Sequence, residues 1–458
     1  MVASLCALVH GAACGAEDAL AAAPTIRARA PLPPIPAGTF RLAGVQFQGA
    51  TAFDGDVLFT LIADFLRKPV GAPVHAQTYE RTMLMLSDLP GIRVRSGLEA
   101  GVETGTTDLV VEVTGTRRWA AAVDADNYGS RVTGRARIGV TGRWASPFSI
   151  GDNLDGRLMT SSGGGLTFGR VAYEAPVGAA GARVGGGISR VNYSLGGDLE
   201  VLDAKGTADV VDLSASLPLI RSRARNLLAR AAIEHKSLTD EIRVVGLRTD
   251  KTVNDASFAL LWDGRDGVFG GGWGGASLTL WLGHLSIDDA PQKALDAGPT
   301  GRRTAGGYAK FALQASRLQR ITERNNLYVA VAGQLASRNL DASEKFALGG
   351  PKAVRAYPGA EVLVDDGMLV TAEWRYSPLD ELAVALFYDA ARGRVNHDPF
   401  DNEPDNVRTL RGPGVGLNWS RPGNFAANAS LAWRDTGPAV SDGQDRNPRL
   451  YLQLQKSF

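Results

Sequence analysis

The feature that most constrains this chain is a period-two alternation running from Trp119 to the last residue, Phe458. In 327–336, Leu327, Val329, Val331 and Leu335 share one face, and Tyr328, Ala330, Ala332 and Gln334 share the other. In 309–316, Ala309, Phe311, Leu313 and Ala315 oppose Lys310, Gln314 and Ser316. In 368–376, Val370, Ala372, Trp374 and Tyr376 oppose Thr371, Glu373 and Arg375. In 226–236, Leu227, Ala229, Ala231 and Ile233 oppose Arg230, Glu234 and Lys236. Successive side chains of a strand point to opposite faces, so each segment predicts a strand with one apolar face. The segments are separated by Gly, Asp, Asn and Pro, and a spacing of roughly 21 residues per strand and loop predicts about 16 strands.

A soluble sandwich also alternates. Three observations favour a transmembrane barrel instead. No helical pattern interrupts the strands. The aromatics Trp374, Tyr376, Trp419 and Trp433 sit near strand ends, as an interfacial girdle requires. The final segment carries Leu450, Leu452, Leu454 and Phe458 on one face and ends on an aromatic. Lys456 interrupts that face, but its long stem can reach the interface. Bulk composition is compatible: mean hydropathy is −0.07 and no apolar run is long enough for a helical span.

Both cysteines, Cys6 and Cys14, fall within residues 1–18, read as a secretion signal although no Lys or Arg precedes its apolar run. Gly11-Ala12-Ala13 is a poor context for lipid modification of Cys14. The rest of the chain is free of cysteine, which suits an envelope protein without thiol chemistry. Residues 19–39, with Pro24, Pro31, Pro33, Pro34 and Pro36, form an extended linker. Residues 40–116 predict a compact βααββ unit: a strand over 41–48, helices over 54–66 and 75–87, and strands over 92–99 and 108–113. Three strands with two helices on one face would bury a sufficient core.

Leu84 to Val94 (LMLSDLPGIRV) and Gly105 to Val113 (GTTDLVVEV) carry a family resemblance. They resemble the POTRA domain beside the barrel in two-partner secretion transporters of the haemolysin secretion/activation type, within the POTRA-plus-barrel superfamily. Asp126-Asn127-Tyr128-Gly129-Ser130 resembles that family's first barrel hairpin. Leu348-Gly349-Gly350 followed by Val354-Arg355-Ala356-Tyr357 resembles the tip of its long inward loop, here at about 340–365. The resemblance implies that Arg355 reaches an acidic residue on the inner wall, and the matching segment is Phe387-Tyr388-Asp389-Ala390-Ala391. Parity over 382–389 independently turns Phe387 and Asp389 inward. The family pattern has glycine where Ala356 and Ala391 stand, so an altered tight turn at the loop tip is expected. It also carries two POTRA domains, where this chain has room for one.

The expectation is therefore a mostly β protein: a ~16-stranded antiparallel transmembrane barrel over 119–458, with one periplasmic POTRA-like domain. The resemblance implies an outer-membrane protein of a Gram-negative bacterium, moving an unfolded secreted partner through its lumen among outer-membrane lipids. Alternatives are an insertase for other barrels, a diffusion porin or a barrel hydrolase. No catalytic role is expected, since no nucleophile elbow or phosphate loop is evident. His10, His75, His235, His284 and His397 are dispersed without metal spacing, so neither metal nor cofactor is expected. Asp263-Gly264-Arg265-Asp266 reads as a solvated hairpin in preference to a calcium site. Gly163 to Gly165 and Gly270 to Gly272 read as turns or strand kinks. A net charge of +1 offers no case for nucleic acid.

Overall fold

The computed structural model describes residues 39–49, 73–400, 405–441 and 446–458. The expected signal segment, nearly all of the linker and the helix expected over 54–66 lie outside these residues.

The N-terminal unit contains β1 (Thr39–Gln48), β2 (Pro73–His75), α1 (Ala76–Ser87), β3 (Ile92–Ala100) and β4 (Thr107–Gly115). Among the described residues its sheet has four strands in the order β2-β1-β4-β3, not the three expected. The addition is β2, three residues antiparallel to the start of β1 and too short to show periodicity. In the central strand β4, Leu109, Val111 and Val113 are fully buried against Tyr79, Met83 and Leu86 of α1. Each such side chain contributes roughly 1.5–3 kcal/mol by leaving water. Leu84 and Met85 are buried as well, so the apolar face of α1 is wider than one sheet can cover.

The barrel sits against that second face. Its first half comprises β5 (Trp119–Asp126), β6 (Arg137–Ala145), β7 (Asn153–Ser161), β8 (Leu166–Val177), β9 (Ala182–Ser194), β10 (Ala204–Arg221), β11 (Arg225–Ile242) and β12 (Leu247–Asp266). Then come β13 (Gly272–Ile287), the short helix α2 (Ala290–Ala297), β14 (Gly306–Arg320) and β15 (Asn325–Ala336). A long loop holding the two-residue strands β16 (Phe346–Ala347) and β17 (Leu363–Val364) precedes β18 (Asp366–Leu379). The chain finishes with β19 (Leu382–Arg394), β20 (Val407–Arg421), β21 (Phe425–Ala432) and β22 (Arg449–Ser457). Among the described residues the barrel has sixteen strands, each antiparallel to its neighbours, and β22 pairs with β5 to close it.

Short turns gather at one rim and long loops at the other. At the short-turn rim, Trp119 stacks on Trp144 with ring centroids 4.3 Å apart, and Trp419 meets Phe425 edge-on at 4.7 Å. Trp262, Trp374, Tyr376 and Phe458 are exposed near the same rim. The ammonium of Lys456 lies 5.9 Å from the Phe458 ring, so its charge stays at that edge. The N-terminal unit docks under this rim. Arg221 grips Asp88 through two bonds of 2.6 and 2.7 Å, and Arg81 donates to the Pro218 carbonyl at 2.8 Å. The Ser146 hydroxyl donates to the Pro90 carbonyl at 2.6 Å. Gly181 leaves room for Met85: a Cβ there would lie 2.8 Å from its sulfur.

Some local expectations need correction. Asp263 to Asp266 lie within β12, and the turn follows them. Asp266 closes the hairpin to β13 opposite Gly272, accepts from the Val268 N–H of the turn at 2.9 Å, and takes two 2.8 Å bonds from Arg317. Gly163, Gly164, Gly270 and Gly271 do occupy turns, with φ between 71° and 100°.

Candidate functional site

The loop between β15 and β18 folds into the barrel and packs on its inner wall. Leu348, Val354, Ala356, Tyr357, Val362 and Val364 from the loop form one buried cluster with Leu369, Phe387, Ala391, Leu410 and Ala432 from the wall. Turn bonds shape the tip: Leu348 N–H to Val362 O at 2.9 Å, Val354 N–H to Leu348 O at 3.1 Å and Tyr357 N–H to Val354 O at 3.1 Å.

These contacts aim Arg355 at the wall. Its Nε and Nη2 each donate to Asp389 at 2.8 Å, and its backbone N–H donates to the same carboxylate at 3.1 Å. Nη1 meets Glu373 at 2.7 Å. The guanidinium carbon lies 3.3 Å from the centre of the Phe387 ring, which is stacking distance. Asp389 is wholly buried and takes a further bond of 2.9 Å from the Thr371 hydroxyl. Glu373 is shared with Arg375 at 2.6 Å. Paired, hydrogen-bonded charges in a desolvated pocket hold tightly, and losing one partner strands the other. Phe387 is seated by Gly414 on β20, where a Cβ would lie 2.2 Å from the ring.

Tyr357 carries the tip further round the wall. Its hydroxyl lies 2.6 Å from the Thr436 carbonyl and 2.7 Å from the Thr436 hydroxyl. Its own carbonyl accepts from Tyr451 of β22 at 2.7 Å. Ala356 does not distort the turn as expected: it is absent from the positive-φ residues. Its methyl is accommodated across the gap, because a Cβ at Gly412 would lie 2.7 Å from the Ala356 Cβ. Ala391 is buried in the same cluster.

The first hairpin forms a second constellation. Asp126 takes bonds of 2.8 and 3.0 Å from Arg137 and one of 2.9 Å from the Tyr128 backbone. Asn127 spans the closing seam. Its side-chain amide donates to Leu450 O at 3.0 Å and accepts from Leu452 N–H at 2.8 Å, as a strand backbone would. Gly129 sits where a Cβ would lie 2.0 Å from the Gly134 carbonyl. Burial, with the Asp126 charge beside it, pushes the Tyr128 hydroxyl up to about 12. Tyr128 meets the Tyr451 ring edge-on at 5.6 Å. Loop tip, closing strand and first hairpin are thus joined through Tyr357, Tyr451 and Tyr128.

The site residues expected from the sequence fall into these two groups, with Val354 packed beneath the tip. Glu373, Thr371, Tyr451 and Thr436 join them without having been expected from the sequence. Parity places Glu373 and Thr371 on the lumen face, so an inward carboxylate two strand positions from an inward threonine was an available signal. The parity of the final segment likewise turns Tyr451 inward, whereas no comparable signal marks Thr436. Among the described residues no group of three or more His, Cys, Asp or Glu could hold a metal.

The family described as "Haemolysin secretion/activation protein ShlB/FhaC/HecB" matches residues 105–419. The chain belongs to this family. The Heme/hemopexin transporter protein HuxB of Haemophilus influenzae is 26% identical over 362 residues, covering 77% of this chain and 63% of HuxB. The chain therefore spans under two thirds of the length of that relative. Among solved structures, CdiB from Escherichia coli has a TM-score of 0.73 at 17% identity, covering 92% of this chain and 76% of its own. CdiB from Acinetobacter baumannii scores 0.68 at 14% identity, covering 92% and 74%. BamA from Haemophilus ducreyi lacking POTRA domains 1–3 scores 0.60 at 12% identity, covering 92% and 85%. The solved structures share the fold of this chain; at such identities the structural likeness speaks to fold alone.

Proposed function

We propose that this protein is an outer-membrane translocator for a specific secreted partner, which crosses the lumen unfolded. The observation that carries the proposal is the polar fastening of the lumen loop. Arg355 reaches Asp389 and Glu373 through bonds of 2.7–2.8 Å, so the loop is held by contacts that water or a passing chain can replace. A static porin constriction would need no such release.

The N-terminal sheet acts as a POTRA-like domain in the periplasm. Among the described residues its outer strand β3 pairs only with β4, leaving an edge to which an extended segment of the partner adds by backbone hydrogen bonding. Docking through Asp88 and Arg81 holds the N-terminal unit against the short-turn rim of the barrel. Folding of the partner outside supplies the driving force. The test is deletion of residues 40–114. Secretion of the partner is expected to stop while the barrel still inserts; normal secretion by the deletion variant would overturn the mechanism.

A second reading, an insertase for other barrels, draws on the short closing ladder from Gln453–Asp126 to Ser457–Ala122. Depletion separates the two: loss of an insertase lowers many outer-membrane proteins, loss of a translocator lowers one exported protein.

A further inference from the structure

The root of the lumen loop makes contacts that neither the tip motif nor the family likeness accounts for. Glu344, 2% exposed, places its two carboxylate oxygens 2.9 Å from Lys236 Nζ on β11 and 2.9 Å from Lys310 Nζ on β14. Lys310 also donates to the Glu344 carbonyl at 3.2 Å and lies 4.9 Å from the centre of the Trp281 ring. Three residues earlier, Asp341 meets Lys251 of β12 at 2.8 Å. Arg355 instead meets β18 and β19, on the other side of the loop's origin. The loop is therefore fastened to two separate sectors of the wall.

The two fastenings differ in what they leave behind. Lys236 also lies 3.1 Å from Asp255 and 3.1 Å from Glu234, both on the wall. When Glu344 departs, the wall retains two cations, Lys236 and Lys310, and two anions, Glu234 and Asp255. Lys251 likewise has the wall residue Asp240 at 3.8 Å. When Arg355 departs, Asp389 and Glu373 remain with, among the described residues, Arg375 as the one cation already in contact, 2.6 Å from Glu373. Removing one partner of a buried ion pair strands the other charge, and a set left with equal numbers of cations and anions carries less of that penalty.

We propose that Glu344 is a second positioning residue for the lumen loop: a latch, independent of Arg355, whose wall site is built to stay charge-balanced when it opens. The proposal rests on the translocator reading, in which the loop must leave the lumen. The root then releases at lower cost than the tip, and full-width opening needs both.

The test measures single-channel conductance of the full chain in planar bilayers for wild type, E344Q, R355A and the double variant. Folding of each is checked by heat-modifiable migration. E344Q is expected to raise open probability about tenfold, the factor set by losing one charge-assisted contact, with partial-width openings. The double variant is expected to reach a larger, steadier conductance than either single variant. If E344Q does not fold, K310Q takes its place, since Glu344 then keeps Lys236. A folded variant with wild-type open probability, or a double variant no wider than R355A alone, would overturn the second latch. If the conductances change as expected while partner secretion is untouched by every variant, the latch stands and the translocator reading falls.

Discussion

Strands β10 to β13 run 18, 18, 20 and 16 residues, whereas β5, β6, β7, β21 and β22 run only 8 or 9. At ~3.3 Å per residue and a ~40° tilt, about 10 residues cross the ~25 Å apolar band. The short sector barely crosses, while the tall sector projects into polar surroundings at the loop rim. The ladders differ accordingly. β11 and β12 pair without interruption from Arg225–Gly264 to Ile242–Leu247, while the seam ladder runs from Gln453–Asp126 to Ser457–Ala122 with single backbone bonds beyond each end. The loop root leans on the tall sector through Lys236 and Lys251, and its tip reaches the short sector through Tyr451. The contrast shows that this wall is braced on one side and closed by a short ladder on the other, with the lumen loop bridging the two.

The largest expected effect is at the tip. Asp389→Ala leaves Arg355 with Glu373 alone in a desolvated pocket, a loss on the order of 3–5 kcal/mol to loop docking. Maleimide labelling of a cysteine introduced as Ala353→Cys should become much faster in the Asp389→Ala background. Unchanged labelling would mean that apolar packing alone retains the tip.

A moderate effect is expected at the seam. Asn127→Ala removes both side-chain bonds to β22 and should lower the temperature at which the folded band disappears, by about 1 kcal/mol of barrel stability. Asn254→Ala in the tall sector removes one exposed contact to His235 and should leave that temperature unchanged. Equal shifts in the two variants would erase the distinction between the sectors.

The smallest effect is titration of the loop root. Burial by itself raises the Asp341 carboxyl, but Lys251 and the Ser343 backbone and hydroxyl more than offset it, leaving its pKa below the ordinary aspartate value. A depressed folded pKa means the stabilisation is present above the unfolded value of about 3.9 and is lost as pH falls through the folded one. Wild-type open probability should therefore be flat near neutrality and rise below about pH 4, with the Asp341 contribution to that rise absent in Asp341→Asn. Identical acid profiles for the two proteins would show that this tether does not retain the loop.

Much of this was legible in the residues. Strand number followed from spacing, and face assignment followed from parity, which turned Lys236, Lys310, Glu373 and Asp389 toward the lumen. Parity says nothing about which lumen residues meet. Lys236 and Glu344 are 108 positions apart, and their contact depends on the register of β11 against its neighbours and on the path of an irregular loop. The accommodation of Ala356 by Gly412 was hidden for the same reason, since it joins a loop tip to a strand more than 50 residues on. The wide apolar face of α1 was visible as Leu84 and Met85, but without the barrel's turns there was nothing to explain it.

The sequence alone determined the barrel, because a two-residue side-chain period with an apolar outer face is a local property of each strand, and lipid accepts only a closed sheet. Tertiary structure alone decided the asymmetry of the wall, the seam spanned by Asn127 and the pairing of loop charges with wall charges. Those depend on closure of the ring, which brings together residues that no local period relates.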